Sequence, residues 1–149
     1  MNMMYYECTI KYDKTSETGL LKKVSEKYLV QALNFAEAET RFAEEMTTFV
    51  SGEFDVTAIR RLPVAEIFES EQAAADRWFR AKLAYITLNE RTGKEKRNMQ
   101  EFMVRAVDFD DARDTIEKCM RGTLGDWVNV QLSETKIMGL IDRDATAAK

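Results

Sequence analysis

The amino-acid sequence predicts an α+β protein built from two tandem copies of one ββαβ unit, with mixed sheets that are each covered by one helix. Three observations support this prediction: an internal repeat, strands in which apolar and polar residues alternate, and one amphipathic helix in each copy. Because a single helix leaves much of each sheet uncovered, we expect the copies to pack on each other around a pseudo-twofold axis.

The repeat emerges when the sequence is compared with itself. At an offset of 74 residues, nine positions of the first copy meet the same residue type in the second copy. These positions are Thr18, Gly19, Val30, Ala32, Phe35, Ala38, Met46, Val56 and Ile67, which match Thr92, Gly93, Val104, Ala106, Phe109, Ala112, Met120, Val130 and Ile141. Before the Thr-Gly turn the offset is 73, so the hairpin loop of the second copy contains one inserted residue.

The first two strands of each copy are indicated by a period of two, which is typical of strands with one buried face. A polar segment with a Thr-Gly pair separates them, and glycine allows the backbone to reverse there. The inward positions of the first copy are Tyr6, Cys8, Ile10 and Tyr12, followed by Tyr28, Val30 and Ala32. Those of the second copy are Phe79, Ala81, Leu83 and Tyr85, followed by Phe102, Val104 and Ala106.

A helix follows the second strand of each copy. Asn34 and Asp108 are predicted N-caps, and Glu37 and Asp111, three residues later, are placed to reach back to the helix start. Apolar residues then recur every three or four positions, which predicts a helix face packed on the sheet. This face contains Phe35, Ala38, Phe42, Met46 and Phe49 in the first copy, and Phe109, Ala112, Ile116 and Cys119 or Met120 in the second.

Each copy ends with a third strand and a short apolar segment. The third strands are predicted at Phe54-Val56-Ala58 and Val128-Val130-Leu132, and the segments 64–68 and 137–141 are expected to add an edge strand to each copy. The chain is therefore divided into a first repeat over residues 1–68, a charged connector over 69–77, a second repeat over 78–142 and a flexible tail over 143–149. We expect the two repeats to form one compact body.

The composition excludes several chemistries. The 149 residues carry a net charge of −4 and include two cysteines but no histidine. Without imidazole the chain has no Ser-His or Cys-His nucleophile and no usual zinc site, and the glycine patterns that cradle phosphates are also missing. We therefore predict no catalytic activity, no cofactor and no metal ion. We interpret Cys8 and Cys119 as buried, reduced thiols.

Membrane association is not expected from the sequence. No apolar segment approaches the roughly 18 residues that a membrane span requires. The N-terminus lacks the basic and apolar regions of a signal peptide. These features predict a cytoplasmic protein.

The hairpin loops are the first candidate binding site. They carry basic residues at equivalent places of the two copies: Lys22 and Lys23 in the first, and Arg91, Lys94, Lys96 and Arg97 in the second. Basic loops bind phosphates of a nucleic acid or the acidic surface of a protein partner. The structural alternative is that these charges keep the hairpins soluble and prevent strand pairing between molecules.

Aromatic residues form a second candidate site. Tyr5, Trp78 and Trp127 are out of phase with the inward strand positions, so we consider them candidate exposed aromatics that stack on bases or anchor a partner. The alternative is that they pack between the two repeats. The acidic residues of segment 108–114 are interpreted as helix-start residues, because their spacing differs from that of a calcium loop.

Four segments carry a resemblance to a known family. They are Tyr6-Glu7-Cys8, residues 27–39 (KYLVQALNFAEAE), residues 51–54 (SGEF) and residues 75–79 (ADRWF) with Lys82. Together they resemble an uncharacterised domain-of-unknown-function family of small bacteriophage and prophage proteins from gut bacteria, over residues 5–141. The resemblance implies a phage or prophage product that acts in the bacterial cytoplasm or is packaged in a virion, and it implies no catalytic residues.

These observations leave three functions open. The leading hypothesis is a non-enzymatic binding or adaptor protein of phage origin with an unidentified protein partner. The first alternative is a nucleic-acid-binding module that uses the basic hairpin loops. The second is a structural virion component that forms homo-oligomers through its edge strands.

Overall fold

The computed structural model of the protein describes residues 3–123 and 125–142, which form two four-stranded sheets and two helices. The elements in chain order are β1 (Met4–Thr15), β2 (Leu21–Ala32), α1 (Phe35–Phe49), β3 (Phe54–Leu62), β4 (Val64–Glu69), β5 (Arg77–Leu88), β6 (Glu95–Ala106), α2 (Phe109–Met120), β7 (Asp126–Glu134) and β8 (Ile137–Ile141). The predicted α+β class, with one helix for each sheet and two similar halves, is confirmed.

The described residues divide into two compact units. Unit 1 consists of residues 3–63 and 136–142, with strand order β3-β1-β2-β8 and helix α1. Unit 2 consists of residues 64–135, with strand order β4-β6-β5-β7 and helix α2. In both sheets the three longer strands are antiparallel, and the short edge strand is parallel to its neighbour. The sheets are therefore mixed, as the sequence predicts.

The short edge strands are exchanged between the two repeats of the sequence. β4 follows β3 after Pro63 alone, yet it pairs with β6 of unit 2. β8 follows β7 after two residues and pairs with β2 of unit 1. The boundary between the units thus lies at residues 63 and 64, whereas the sequence suggested residue 68. Proline contributes no backbone N–H to a sheet, which favours the end of β3 at this point.

The third strands show where the sequence alignment of the repeats was wrong. Thr57 and Val130 are bulge residues, each skipped in the pairing of its strand with β1 or β5. These equivalent bulges are 73 residues apart, so the match of Val56 with Val130 at an offset of 74 is not a structural one. Val130 is 46% exposed instead of buried. Ile141 likewise corresponds to Phe68, because these residues pair with the equivalent Val30 and Val104.

Each unit has its own apolar core between the helix and one face of the sheet. The helices contribute Ala38, Phe42 and Met46 to unit 1, and Ala112, Ile116 and Met120 to unit 2. The exchanged strands contribute Ile141 to the core of unit 1 and Phe68 to that of unit 2. Both cores bury aliphatic and aromatic side chains, which is the main stabilising contribution to such a fold.

The first residue of each helix is more exposed than predicted. Phe35 and Phe109 were expected to be buried, but they are 53% and 48% exposed. Phe35 lies edge-on to Tyr6, with ring centroids 4.9 Å apart, and Phe109 lies edge-on to Phe79 at 6.4 Å. Each ring therefore packs on one aromatic neighbour and leaves its other side open. An edge-on aromatic pair recurs at the equivalent positions of both units, which supports the duplication.

The predicted tail over residues 143–149 lies outside the described residues. The connector corresponds to residues 70–76, in which the N–H of Ala75 donates to the carbonyl of Gln72 at 3.1 Å. Within the described ranges, neither helix is long and apolar enough to cross a membrane.

The two cysteines differ in accessibility. Cys8 is fully buried, as predicted, and burial raises the pKa of its thiol to about 12. Cys119 was also predicted to be buried, but it is exposed, because Met120 completes the apolar face of α2 in its place. Partial burial and then the carboxylates of Glu66 and Glu71 raise the pKa of Cys119 as well.

The strand exchange predicts which fragments of the chain are stable. Residues 64–135 contain a complete unit 2, whereas residues 78–142 lack β4 and its Phe68, which is 5% exposed and stacked on Phe102. Loss of a buried phenylalanine costs about 3–5 kcal/mol, so we expect fragment 78–142 to unfold at a lower urea concentration than fragment 64–135. Circular dichroism during urea unfolding measures both midpoints. Equal midpoints would contradict the exchange.

Thiol labelling tests the different environments of the cysteines. In the native protein, we expect 5,5′-dithiobis(2-nitrobenzoate) to react with Cys119 alone. The rate should rise with pH, because the raised pKa keeps the thiol protonated at neutral pH. Cys8 should react only after unfolding in denaturant. The control variant Cys119→Ser should not be labelled in its native state, and labelling of that variant would show the burial of Cys8 to be wrong.

Candidate binding surface at the hairpin tips

The tip of the first hairpin is a well-defined turn. β1 and β2 pair in continuous register up to Thr15 and Leu21. The N–H of Ser16 donates to the carbonyl of Leu20 at 2.8 Å, and the N–H of Gly19 donates to the carbonyl of Ser16 at 2.9 Å. Gly19 has a φ of 84°, a left-handed conformation that glycine adopts without strain. The loop thereby holds the beginning of β2, and its basic residues, at the end of the hairpin.

The tip of the second hairpin repeats this design with one additional residue. β5 and β6 pair up to Leu88 and Glu95, and the N–H of Asn89 donates to the carbonyl of Lys94 at 2.9 Å. The side-chain oxygen of Asn89 accepts hydrogen bonds from the N–H groups of Arg91, at 2.9 Å, and Thr92, at 3.3 Å. The predicted insertion in the hairpin loop is confirmed.

The structure exposes all six basic residues that the sequence singled out: Lys22, Lys23, Arg91, Lys94, Lys96 and Arg97. None of them forms an ion pair with another residue of the described ranges. Their ammonium and guanidinium groups therefore face solvent and are available to an external anion. Since Glu17, Glu90 and Glu95 are also exposed in these loops, the positive charge is local and moderate.

The first tip contains a repulsive pair of lysines. Lys22 lies directly across the hairpin from Lys14, and like charges opposite each other destabilise a strand pair. Both lysines line a surface depression of about 200 Å³ together with Thr15, Ser16, Glu17 and Val24. In the second hairpin the equivalent Lys96 lies opposite Thr87, so this repulsion does not recur there. A bound carboxylate or phosphate would relieve the repulsion in the first tip.

Exposed leucines accompany the basic residues, a feature that sequence analysis missed. Leu20 is 70% exposed and Leu21 is 71% exposed at the first tip, and Leu88 is 62% exposed at the second. The signal in the sequence was the position of Leu20 and Leu21 directly after the turn glycine, outside the inward strand positions. Adjacent exposed leucines beside cations form an amphipathic surface, which is typical of contact sites.

The predicted exposed aromatics do not contribute to this surface. Trp78 is only 1% exposed, and the guanidinium carbon of Arg105 lies 5.8 Å from the centroid of its ring. Trp127 is half-buried and packs against the core of unit 2, and Tyr5 is half-buried. The expectation of exposed aromatics was wrong for Trp78, because strand alternation does not show whether the second face of a sheet is also covered.

The acidic segment at the start of α2 has a structural role. The carboxylate of Asp108 accepts a hydrogen bond from the N–H of Asp111 at 2.8 Å, and Asn34 caps α1 in the same way at 2.8 Å. Asp111 reaches back and accepts from the N–H of Val107 at 2.9 Å, which lowers the pKa of its carboxyl group. In the described part of the chain, no group of three or more ligand-type side chains is arranged to hold a metal ion.

A hydrogen-bonded cluster in unit 1 was not anticipated. The carboxylate of Glu26 accepts from the hydroxyl groups of Tyr12 at 3.0 Å and Tyr28 at 3.4 Å. Burial, and then the negative charge of Glu26, raise the pKa of Tyr28 to about 12. Both phenols therefore remain protonated donors at neutral pH, and the cluster stabilises the sheet below the first tip. Glutamine at position 100 and phenylalanine at position 102 replace the glutamate and one tyrosine in unit 2.

Comparison with known proteins identifies one family. The sequence profile of a domain of unknown function, DUF4494, matches residues 4–143. No curated protein matches the chain at a significant level, and no solved structure does. The match covers both units and both hairpin tips.

The lysine pair at the first tip predicts an unusual response to charge reversal. Lys22→Glu replaces the repulsion with Lys14 by attraction, and we expect the free energy of unfolding to rise by about 0.2–1 kcal/mol. Lys96→Glu is the matched control, since its cross-strand neighbour is Thr87 and no such gain is expected. Urea unfolding in low salt measures both. Destabilisation by Lys22→Glu, or an equal gain in the two variants, would refute the pairing of Lys14 with Lys22.

Proposed function

We propose that this chain, which belongs to the DUF4494 family of domains of unknown function, is a non-enzymatic binding or adaptor protein. In this proposal each hairpin tip is a docking site of its own for an acidic protein surface. The observation that carries it is that each tip combines strongly exposed leucine with cations that form no ion pair within the described residues.

The two kinds of side chain have complementary tasks in such a contact. Exposed cations attract an acidic partner from a distance and orient it, so they mainly increase the rate of association. At the first tip Leu20 and Leu21 bury apolar surface once the contact has formed, which slows dissociation, and at the second tip Leu88 does the same in a contact of its own. A partner of matching chemistry has an apolar centre and an acidic rim, the usual anatomy of a protein interface.

The surface chemistry favours a protein over a nucleic acid as the partner. Binding to single strands without sequence preference uses aromatic side chains on which bases stack, and Trp78 and Trp127 are not free for that purpose. The net charge of −4 opposes contact with a phosphate backbone outside the tips. The leucine side chains at the tips have neither a charge nor a hydrogen-bond donor for a phosphate. Binding of oligonucleotides in the experiment below would instead favour the nucleic-acid alternative.

The resemblance to small phage and prophage proteins adds a cellular context to the proposal. In that context the partner is a protein of the bacterial cytoplasm or of the virion, and a structural role in the particle is one form of the same binding function. Because the sequence contains no histidine, no imidazole is present to act as a general acid or base at neutral pH.

Two variants of the first tip test the proposal. Lys22→Glu with Lys23→Glu reverses the charge, and Leu20→Ser with Leu21→Ser removes the apolar side chains. The tagged chain and both variants are used to capture proteins from the cells that naturally produce it, and captured proteins are quantified by mass spectrometry. We expect the same partner to be lost from both variants, by about tenfold or more, because anchor residues contribute roughly 2 kcal/mol each.

The control variant also reverses two positive charges, but at positions outside the hairpin tips. Arg113→Glu with Lys118→Glu reverses two exposed charges on α2 and should leave capture unchanged. Fluorescence anisotropy with labelled single-stranded and duplex oligonucleotides, at low and high salt, is measured alongside. Capture that is insensitive to both tip variants would overturn the proposal. So would salt-dependent oligonucleotide binding that only the charge-reversal variant loses.

A further inference from the structure

A surface depression of about 170 Å³ lies beside α2 in unit 2. It is lined by residues of α2 and by residues 69–72, at the end of β4 and directly after it. The lining residues that carry hydrogen-bond acceptors are Glu69, Ser70, Glu71, Gln72, Asp111 and Thr115. Three of these six are carboxylates, so the lining is complementary to a positively charged group that donates several hydrogen bonds.

Two of the three carboxylates have a cationic neighbour. Glu69 lies 3.6 Å from the guanidinium of Arg105, and Glu71 lies 3.8 Å from the ammonium of Lys118, which also lines the depression. Both pairs are exposed, so water screens them. Asp111 forms no ion pair in the described part of the chain. The depression therefore carries an excess of negative charge.

The carboxylate of Asp111 is held in place by hydrogen bonds. It accepts from the N–H of Val107 and from the side-chain amide of Gln72, each at 2.9 Å, and from the hydroxyl of Ser70. These hydrogen bonds, above all the one from Val107, lower the pKa of Asp111, so its carboxylate is charged at neutral pH. Because an ionised carboxylate accepts about four hydrogen bonds, Asp111 retains capacity for a ligand.

Unit 1 shows which group lies beside the equivalent carboxylate. Counted from the N-cap of each helix, Glu37 of α1 corresponds to Asp111 of α2, and Arg41 corresponds to Thr115. Nη2 of Arg41 donates to Glu37 at 2.8 Å. The side chain of Arg41 is only 12% exposed, and its Nε and Nη1 atoms are shielded from solvent. Helix α1 thus supplies its own guanidinium, whereas the short Thr115 leaves this place open in unit 2.

A second difference on the same flank of the helix enlarges the opening. Glu45 of α1 is 9% exposed, and its equivalent in α2 is the exposed Cys119, which lines the depression. Both helices are capped in the same way and pack equivalent residues on their sheets. The depression therefore results from two shorter side chains in α2.

We propose that this depression binds the guanidinium group of an arginine from a protein partner, with Asp111 as its principal carboxylate. The partner's arginine takes the place that Arg41 occupies within unit 1. A guanidinium is planar and presents five N–H donors, which suits a small space surrounded by acceptors better than the compact ammonium of lysine does. Free arginine is a poorer ligand, because the acidic lining repels its α-carboxylate. The inference does not depend on the hairpin tips.

Titration of the ¹⁵N-labelled full chain with N-acetyl-L-arginine methylamide, followed by NMR, tests the site. We expect a dissociation constant of about 0.1–1 mM, with shifts in the amide signals of residues 69–72 and 111–119. The citrulline equivalent replaces the guanidinium by a neutral group of similar shape, and it should bind at least about tenfold more weakly. Absence of binding, or equal binding of the two compounds, would overturn the proposal.

Two isosteric variants of α2 separate the site from the general charge of the helix. Asp111→Asn removes the principal carboxylate and should weaken binding of the arginine compound by about tenfold or more. Asp110→Asn is the matched control, because Asp110 is exposed and does not line the depression. It should bind as the wild type does. Equal effects of the two variants would refute the role of Asp111.

Filling the depression from within tests the comparison with unit 1. Thr115→Arg places a guanidinium four residues after Asp111, as in α1, and should abolish binding. Asp114→Arg adds an arginine at an exposed position of α2 outside the depression and should retain it. Undiminished binding to a folded Thr115→Arg chain would refute the inference. If that variant fails to fold, Asp111→Asn remains decisive, since an amide preserves the shape of the carboxylate.

Free L-arginine distinguishes the source of the guanidinium. We expect it to bind more weakly than the capped compound, because its α-carboxylate meets the negative charge of the depression. Equal or tighter binding of free L-arginine would assign the site to a small molecule and overturn the assignment to a protein partner.

Discussion

Each sheet of this protein is completed by a strand that belongs, in sequence, to the other repeat. β4 leaves the first repeat after Pro63 and pairs with β6, and β8 leaves the second repeat and pairs with β2. The exchanged strands insert Phe68 and Ile141 into the two cores, where Phe68 stacks on Phe102 with ring centroids 4.8 Å apart. Neither contiguous repeat therefore contains its whole core, and the compact unit of the structure differs from the sequence repeat.

The two units show which features the duplication retained. A diagonal cross-strand ion pair joins Lys27 to Glu7 at 3.4 Å in unit 1 and Arg80 to Glu101 at 2.6 Å in unit 2. The charges at the equivalent positions are reversed, so the attraction recurs although the residues do not. In contrast, the outer edges have diverged: β3 is charged, whereas the interior of β7 is not. Basic tips recur in both units, which supports their use as contact surfaces.

The sequence predicted the basic residues of the candidate surfaces at the hairpin tips, but it did not predict the exposed leucines beside them. The six cations are exposed as expected, because strongly hydrated charges at a turn have no reason to be buried. The leucines beside them were missed, since a leucine is ordinarily assigned to a core and only its place in the fold leaves it exposed. Trp78 was considered a candidate exposed residue, but it is buried. Strand alternation identifies only one buried face of a sheet, and Trp78 lies on the other face, which is buried at this position as well.

The sequence by itself determined the local elements: hairpins with a Thr-Gly turn, helices capped at Asn34 and Asp108, and the inward positions of the central strands. These depend on residues within a few positions of one another, so periodicity and capping chemistry suffice to predict them. Only the tertiary structure decided that β4 and β8 exchange sheets, that Val130 lies at a bulge and that Phe35 is half exposed. Such features depend on pairing between segments distant in sequence, and a short apolar segment pairs equally well with any open edge of suitable length.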